Sequence, residues 1–141
     1  MLLRIVAILV GLLALAFYGF SIVDMYWTLT GNEDYLVDYS PEMIAWVQGF
    51  PLWRKVIWGA SIGFGVLGAL LLFLRSVFAG HLLFLAWLLM LGGFVGHDII
   101  MANGLENYGR LGIIASVILI VVALVFSIAG HTLAKRSAPP A

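Results

Sequence analysis

The chain contains no cysteine. That excludes disulfide scaffolds, thiol–disulfide oxidoreductases, cysteine zinc sites and iron–sulfur ligation. Charge is nearly as scarce: Asp, Glu, Lys and Arg make up 10% of 141 residues, against about 25% in a soluble domain. No basic block exists to hold nucleic acid. Ser-His-Asp, HExxH and glycine-rich phosphate-loop arrangements are absent as well, and the apolar runs carry no ionisable residue at their centres, where ion-coupled transporters and proton relays usually keep one. Enzyme chemistry and a resident cofactor are therefore not expected.

What the chain has instead is apolar length. Residues 5–23, 56–74, 82–102 and 111–130 form four runs, each near or above the ~20 residues that cross a ~30 Å hydrocarbon core as a helix. The first, second and fourth hold no charge, and the third holds His97 and Asp98 near one end. The expected fold is all-α: an integral membrane four-helix bundle filling residues 1–135, with spans at about 5–26, 54–75, 81–102 and 110–133. Residues 136–141, ending in Pro139-Pro140-Ala141, read as a disordered tail. Arg4 and the Ala14-Leu15-Ala16 stretch resemble parts of a signal peptide. The apolar run continues to Val23, past the roughly 7–15 residues of a typical cleaved segment, so it is expected to stay as a span.

The connections are unequal. The longest, 24–55, is polar and contains a turn signal at Thr30-Gly31-Asn32. Within it Ser40-Pro41-Glu42 reads as a helix start, with Ser40 as N-cap, Pro41 in the first turn and Glu42 at the positive end of the dipole. Apolar Met43, Ile44, Trp46 and Val47 follow, and Gly49 and Pro51 stop the run. A short amphipathic surface helix over 41–49 is expected.

Four spans put both termini on one side. Arg4, Arg75, Lys135 and Arg136 share that side, and Arg54, Lys55 and Arg110 lie on the other. The positive-inside rule then places both termini in the cytoplasm. All the acidic residues fall on the opposite, outer side. Trp27, Trp46, Trp53 and Trp58, with Tyr26, Tyr35, Tyr39 and Tyr108, gather there too, as an aromatic belt at one interface.

Small residues recur at spacings of four: Gly59 and Gly63, Ser61, Gly65 and Ala69, and Gly92 and Gly96. Such stripes let helix backbones approach closely, within one chain or between copies. Each helix also carries charge at its outer end: Asp24, Arg54 with Lys55, Asp98 and Arg110. Every one sits at the unfavourable end of its helix dipole. Compensation across helices predicts an outer charge cluster of Asp24, Arg54, Asp98 and Arg110. His97-Asp98 could contribute to a metal site, although no ligand-spacing motif supports one. His81 and His131, both at the cytoplasmic ends, could flank a haem if their helices are neighbours.

Asn32-Glu33, Tyr35-Leu36, Tyr39, Pro41-Glu42, Phe50-Pro51-Leu52-Trp53, Trp58, Gly68-Ala69-Leu70-Leu71-Leu72 and Arg75-Ser76 together resemble a group of small four-span bacterial proteins often named sugar transporters. The resemblance implies a bacterial inner membrane and a four-helix architecture, and it brings no functional residue with it. The function expected from the sequence is association. The chain would self-assemble as a homo-oligomer or serve as an accessory subunit of a larger membrane complex, in contact with membrane lipids and without nucleic acid, cofactor or metal. A small-solute transporter working as an oligomer is the alternative, and a haem- or metal-binding redox protein a distant one.

Overall fold

Hydrocarbon offers no water to satisfy backbone N–H and C=O groups, so each apolar run must bond them internally. All four do so as helices. The computed structural model describes residues 1–137. Its elements are α1 (Leu2–Thr30), α2 (Pro41–Gln48), α3 (Leu52–Phe73), α4 (Ala79–Gly92), a π-helical continuation of α4 (Gly93–Met101), α5 (Gly104–Asn107) and α6 (Gly109–Ser137). No strand occurs among the described residues. Four helices are long and apolar enough to cross a membrane: α1, α3, α4 with its continuation, and α6. The protein is an all-α four-helix membrane bundle.

Local signals explain where the elements begin and end. α1 runs past its expected limit near 26 to Thr30, where Gly31 turns left-handed at φ 70°. The Gly31 N–H then donates to Thr28 and that of Asn32 to Trp27, closing the last carbonyls of the helix. The Ser40 hydroxyl accepts from the Met43 N–H at 3.2 Å, with Pro41 in the first turn and Gly49 just past the end. At the far terminus Arg136 and Ser137 belong to α6 rather than to the tail expected from 136. The rest of that expected tail, 138–141, lies outside the described residues.

α3 packs between α1 and α4, while α6 lies against α4 and, less extensively, against α1. The buried core is built from small side chains, Ala7, Ala79, Ala86 and Ala134, around fully enclosed Tyr18, Leu72 and Leu83. Backbones nearly touch in this region. A Cβ on Gly80 would stand 2.7 Å from the His131 Cα, and one on Gly11 2.8 Å from the Phe73 backbone nitrogen. The outside is apolar instead. Leu13, Phe20, Val117 and Ile128 are all exposed, as suits a bundle whose solvent is lipid. The two ends of the bundle differ. One, the loop end, carries residues 31–51 and the turn at 102–108. The other, the terminal end, carries Met1, the α3–α4 turn and the end of α6.

Candidate functional site

The last turns of the third span are π-helical, at a sequence rich in glycine: Gly92, Gly93 and Gly96. A π-helix holds more residues per turn than an α-helix, so consecutive side chains diverge by a smaller angle. Two adjacent residues can then both point inward. His97 and Asp98 do, and both are buried.

Asp98 is 0% exposed, and each of its oxygens receives two donors. Arg54 makes a bidentate pair, Nε to Oδ1 at 2.8 Å and Nη2 to Oδ2 at 2.7 Å. His97 Nδ1 lies 2.7 Å from Oδ1, and the Tyr108 hydroxyl donates to Oδ2 at 2.7 Å. A buried carboxylate survives only when paired and fully hydrogen-bonded. Here that condition is met from three elements: α3, the π-helical segment and the turn before α6. Gly93 makes room for it, because a Cβ there would stand 2.9 Å from the Arg54 Cζ. His97 in turn is held edge-on by Phe50 and Trp53, with ring centroids 4.9 and 5.0 Å away.

Asp24 reaches the same region from α1 but takes a different partner, the Tyr35 hydroxyl at 2.5 Å. Tyr35 sits on the loop that roofs this end of the bundle. Its backbone N–H is anchored by Asn32 Oδ1 at 2.9 Å. Burial, and after it the bond to Asp24, raises the Tyr35 phenol well above its ordinary range. Burial and then the charge of Asp98 do the same to Tyr108. Burial and then the charge of Asp24 raise Tyr39. All three phenols therefore stay protonated donors at neutral pH.

Between these groups lies a cavity of about 150 Å³. Its walls near the loops carry Asp24, Tyr35, Tyr39, Arg54, Asp98 and Tyr108, its middle Trp58, Ser61 and Ser116, and its remaining lining includes Ile62, Met90, Leu119 and Ile120. A cavity of about that size can hold a benzene-sized molecule when apolar, and polar walls admit water.

The expected charge cluster is thus only partly assembled. Arg54 and Asp98 pair directly, and Asp24 lines the same chamber without touching either. Arg110 stands apart: it is exposed and forms no ion pair among the described residues. Of the two acids expected near it, Asp98 is already saturated by Arg54, His97 and Tyr108 and Asp24 is bonded to Tyr35 instead, while Gly109, at φ 65°, turns the chain just before Arg110.

The small-residue stripes divide in the same way. Gly65 lies against the Tyr18 ring, and Ala69 is fully buried. Gly59 meets only the Met25 side chain, at 3.8 Å. Gly63, Gly92 and Gly96 have nothing within 4 Å of a Cβ position, so within this chain they are not packing sites. Gly93, which carried no expectation, is the close-packed glycine of that run. The tryptophans do more than form a belt. Trp46 Nε1 donates to the Ala102 carbonyl at 3.1 Å, tying α2 to the end of the third span, and its ring meets Tyr108 at 4.7 Å. Trp27 packs on Tyr35, Trp53 on His97, and Trp58 lines the chamber.

At the terminal end His81 and His131 are neighbours, with ring centroids 5.2 Å apart. Their planes are inclined at 56°, and His131 Nδ1 lies 3.2 Å from the Ser127 carbonyl, so the two imidazoles pack on one another at this end of the bundle. No group of three or more His, Asp or Glu side chains converges to hold a metal ion among the described residues. Tyr35 and Tyr108 were visible in the sequence only as interfacial aromatics. A buried acid needs donors, and each phenol lies within a dozen residues of the acid it serves; that proximity was the available signal. No family model, curated protein or solved structure matches this chain.

Proposed function

We propose that this is a non-enzymatic membrane protein whose loop end is a binding chamber for a small amphipathic molecule. One observation carries the reading: a single cavity combines fixed charges and phenols near the loops with an apolar remainder inside the bundle. That mixture suits a ligand with a polar head and an apolar body. Catalysis is disfavoured because the oxygens of Asp98 are all occupied, which makes the pair a strut rather than a base. A through-going solute path is disfavoured by the apolar lining at Ile62, Met90, Leu119 and Ile120. The distribution of basic residues and the resemblance to small bacterial four-span proteins support a bacterial inner membrane, cytoplasmic termini and an outward-facing chamber. The test is retention of ring-sized amphiphiles such as benzyl alcohol, followed by native mass spectrometry in mild detergent. Ala115→Phe, which fills the chamber, should abolish retention while leaving the protein folded. Equal retention by parent and variant would overturn the reading.

Association remains a second reading, favoured by the exposed Gly92 and Gly96. A glycine stripe facing open space offers lipid little to pack on, whereas a neighbouring helix could approach it closely. Gly92→Leu should then shift the native mass toward the monomer. An unchanged mass would remove that surface from consideration.

A further inference from the structure

The charges that line the chamber do not cancel. Arg54 and Asp98 neutralise one another through a bidentate pair. Asp24 is left over. Its one hydrogen-bond partner is the neutral Tyr35 hydroxyl, and no Arg, Lys or His lies within ion-pairing distance of it among the described residues. Asp24 is half-buried, and a carboxylate partly withdrawn from water into a largely apolar bundle without a counter-charge costs free energy that a bound cation would recover.

The surroundings narrow which cation. Three or four converging ligands are needed for a divalent metal ion, and no such group exists among the described residues. Aromatic rings line the same space instead: Tyr35, Tyr39 and Trp58. Aromatic faces attract organic ammonium groups, whose charge is spread over apolar substituents. The volume of about 150 Å³ fits a molecule of a few heavy atoms rather than a bare ion.

We propose that the chamber binds a small organic cation, with its ammonium group neutralising Asp24 and its apolar substituents against Tyr39 and Trp58. This rests on the chamber reading above and adds the sign of the ligand's charge. The shared chemistry could come from a free ammonium compound or from the headgroup of an ammonium-bearing lipid.

The test uses the full chain in dodecyl maltoside, which carries neither charge nor ammonium group. Choline and 3,3-dimethylbutan-1-ol have the same shape and differ in having nitrogen or carbon at the centre. Isothermal titration should show choline binding at least about tenfold more tightly, the equivalent of one charge contact. Asp24→Asn should erase that preference, Asp24→Glu should keep it, and Glu33→Gln, on the exposed loop, should leave it unchanged. Should Asp24→Asn fail to fold, the choice between the two probes in the parent and in Asp24→Glu still decides the matter. Adding phosphatidylethanolamine separates the sources. If it displaces choline, a lipid headgroup is the occupant; if it does not, the cation is a free one, and either result supports the class. If the alcohol binds as tightly as choline, the chamber stands and the cation proposal is overturned. If neither probe nor benzyl alcohol binds, the chamber reading itself has failed.

Discussion

The two ends of this bundle handle the same four helices in opposite ways. At the terminal end, alanines and glycines bring backbones together, and a Cβ on Gly80 or Gly11 would collide with a neighbouring main chain. At the loop end the helices stand around a chamber, and the connection is made by long polar side chains, Arg54, Asp98 and Tyr108, that reach across it. Close backbone packing gains dispersion but leaves no space. A hydrogen-bonded charge network holds helices apart at a defined distance, at the cost of desolvating its members. The network acts as a spacer: it keeps open a cavity that small residues would have closed.

Breaking the spacer should have the largest effect. Asp98→Ala leaves Arg54 buried without its partner and should destabilise by roughly 3–5 kcal/mol. The double variant Arg54→Met with Asp98→Leu should cost clearly less than the sum of its singles, because neither charge is then stranded. Denaturant unfolding in micelles gives both numbers.

Damage to the packed region should come next. Gly65→Leu drives a side chain into the Tyr18 ring and should cost about 1–3 kcal/mol or more, since the core cannot relax freely. Gly63→Leu, two residues away with open space around it, should be nearly neutral in the monomer. If both variants unfold alike, the contrast between packed and unpacked glycines is wrong.

Alkaline pH sharpens the comparison more gently. The Tyr35, Tyr39 and Tyr108 phenols are raised in the folded state, while unfolded tyrosine ionises near pH 10. Above about pH 10 the unfolded chain therefore binds fewer protons than the folded one, so stability falls as pH rises. Below that it should be flat with respect to these groups. Tyr108→Phe should lower stability at neutral pH by about 1.5–3 kcal/mol, the worth of a hydrogen bond to a charge, and should flatten the alkaline decline. Smallest of all is Arg110→Gln, which should stay within about 0.5 kcal/mol of the parent because the side chain is exposed and forms no ion pair among the described residues.

The fold was legible because hydrocarbon imposes one solution on a 20-residue apolar run. α2 was equally legible, since Ser40, Pro41 and Gly49 each satisfy a local rule. The site was half legible. Misplaced charges at helix ends pointed to compensation, and Arg54 with Asp98 is that compensation. Arg110 did not join because pairing depends on rotation and on which acid is already saturated, and neither is written in local spacing. The π-helical segment was hidden for a related reason: the inward turn of both His97 and Asp98 depends on a tertiary partner, Arg54, lodged against Gly93. Spacing of four identified Gly65 and Ala69 but also Gly63, Gly92 and Gly96, because a stripe of small residues marks a face without saying what lies opposite.

The absence of cysteine makes the central contrast directly measurable. Ser116→Cys places one thiol on the chamber wall, and Ala79→Cys places one in the packed terminal end, where the residue is 0% exposed. A thiol reacts as its thiolate, which requires access to water. The rate of modification by a small charged methanethiosulfonate reagent should be at least about a hundredfold higher at Ser116→Cys than at Ala79→Cys, as expected when reaction at a buried thiol must wait for local opening. Equal and slow rates at both positions would mean that the loop end is as closed as the terminal end, and that there is no chamber to bind anything.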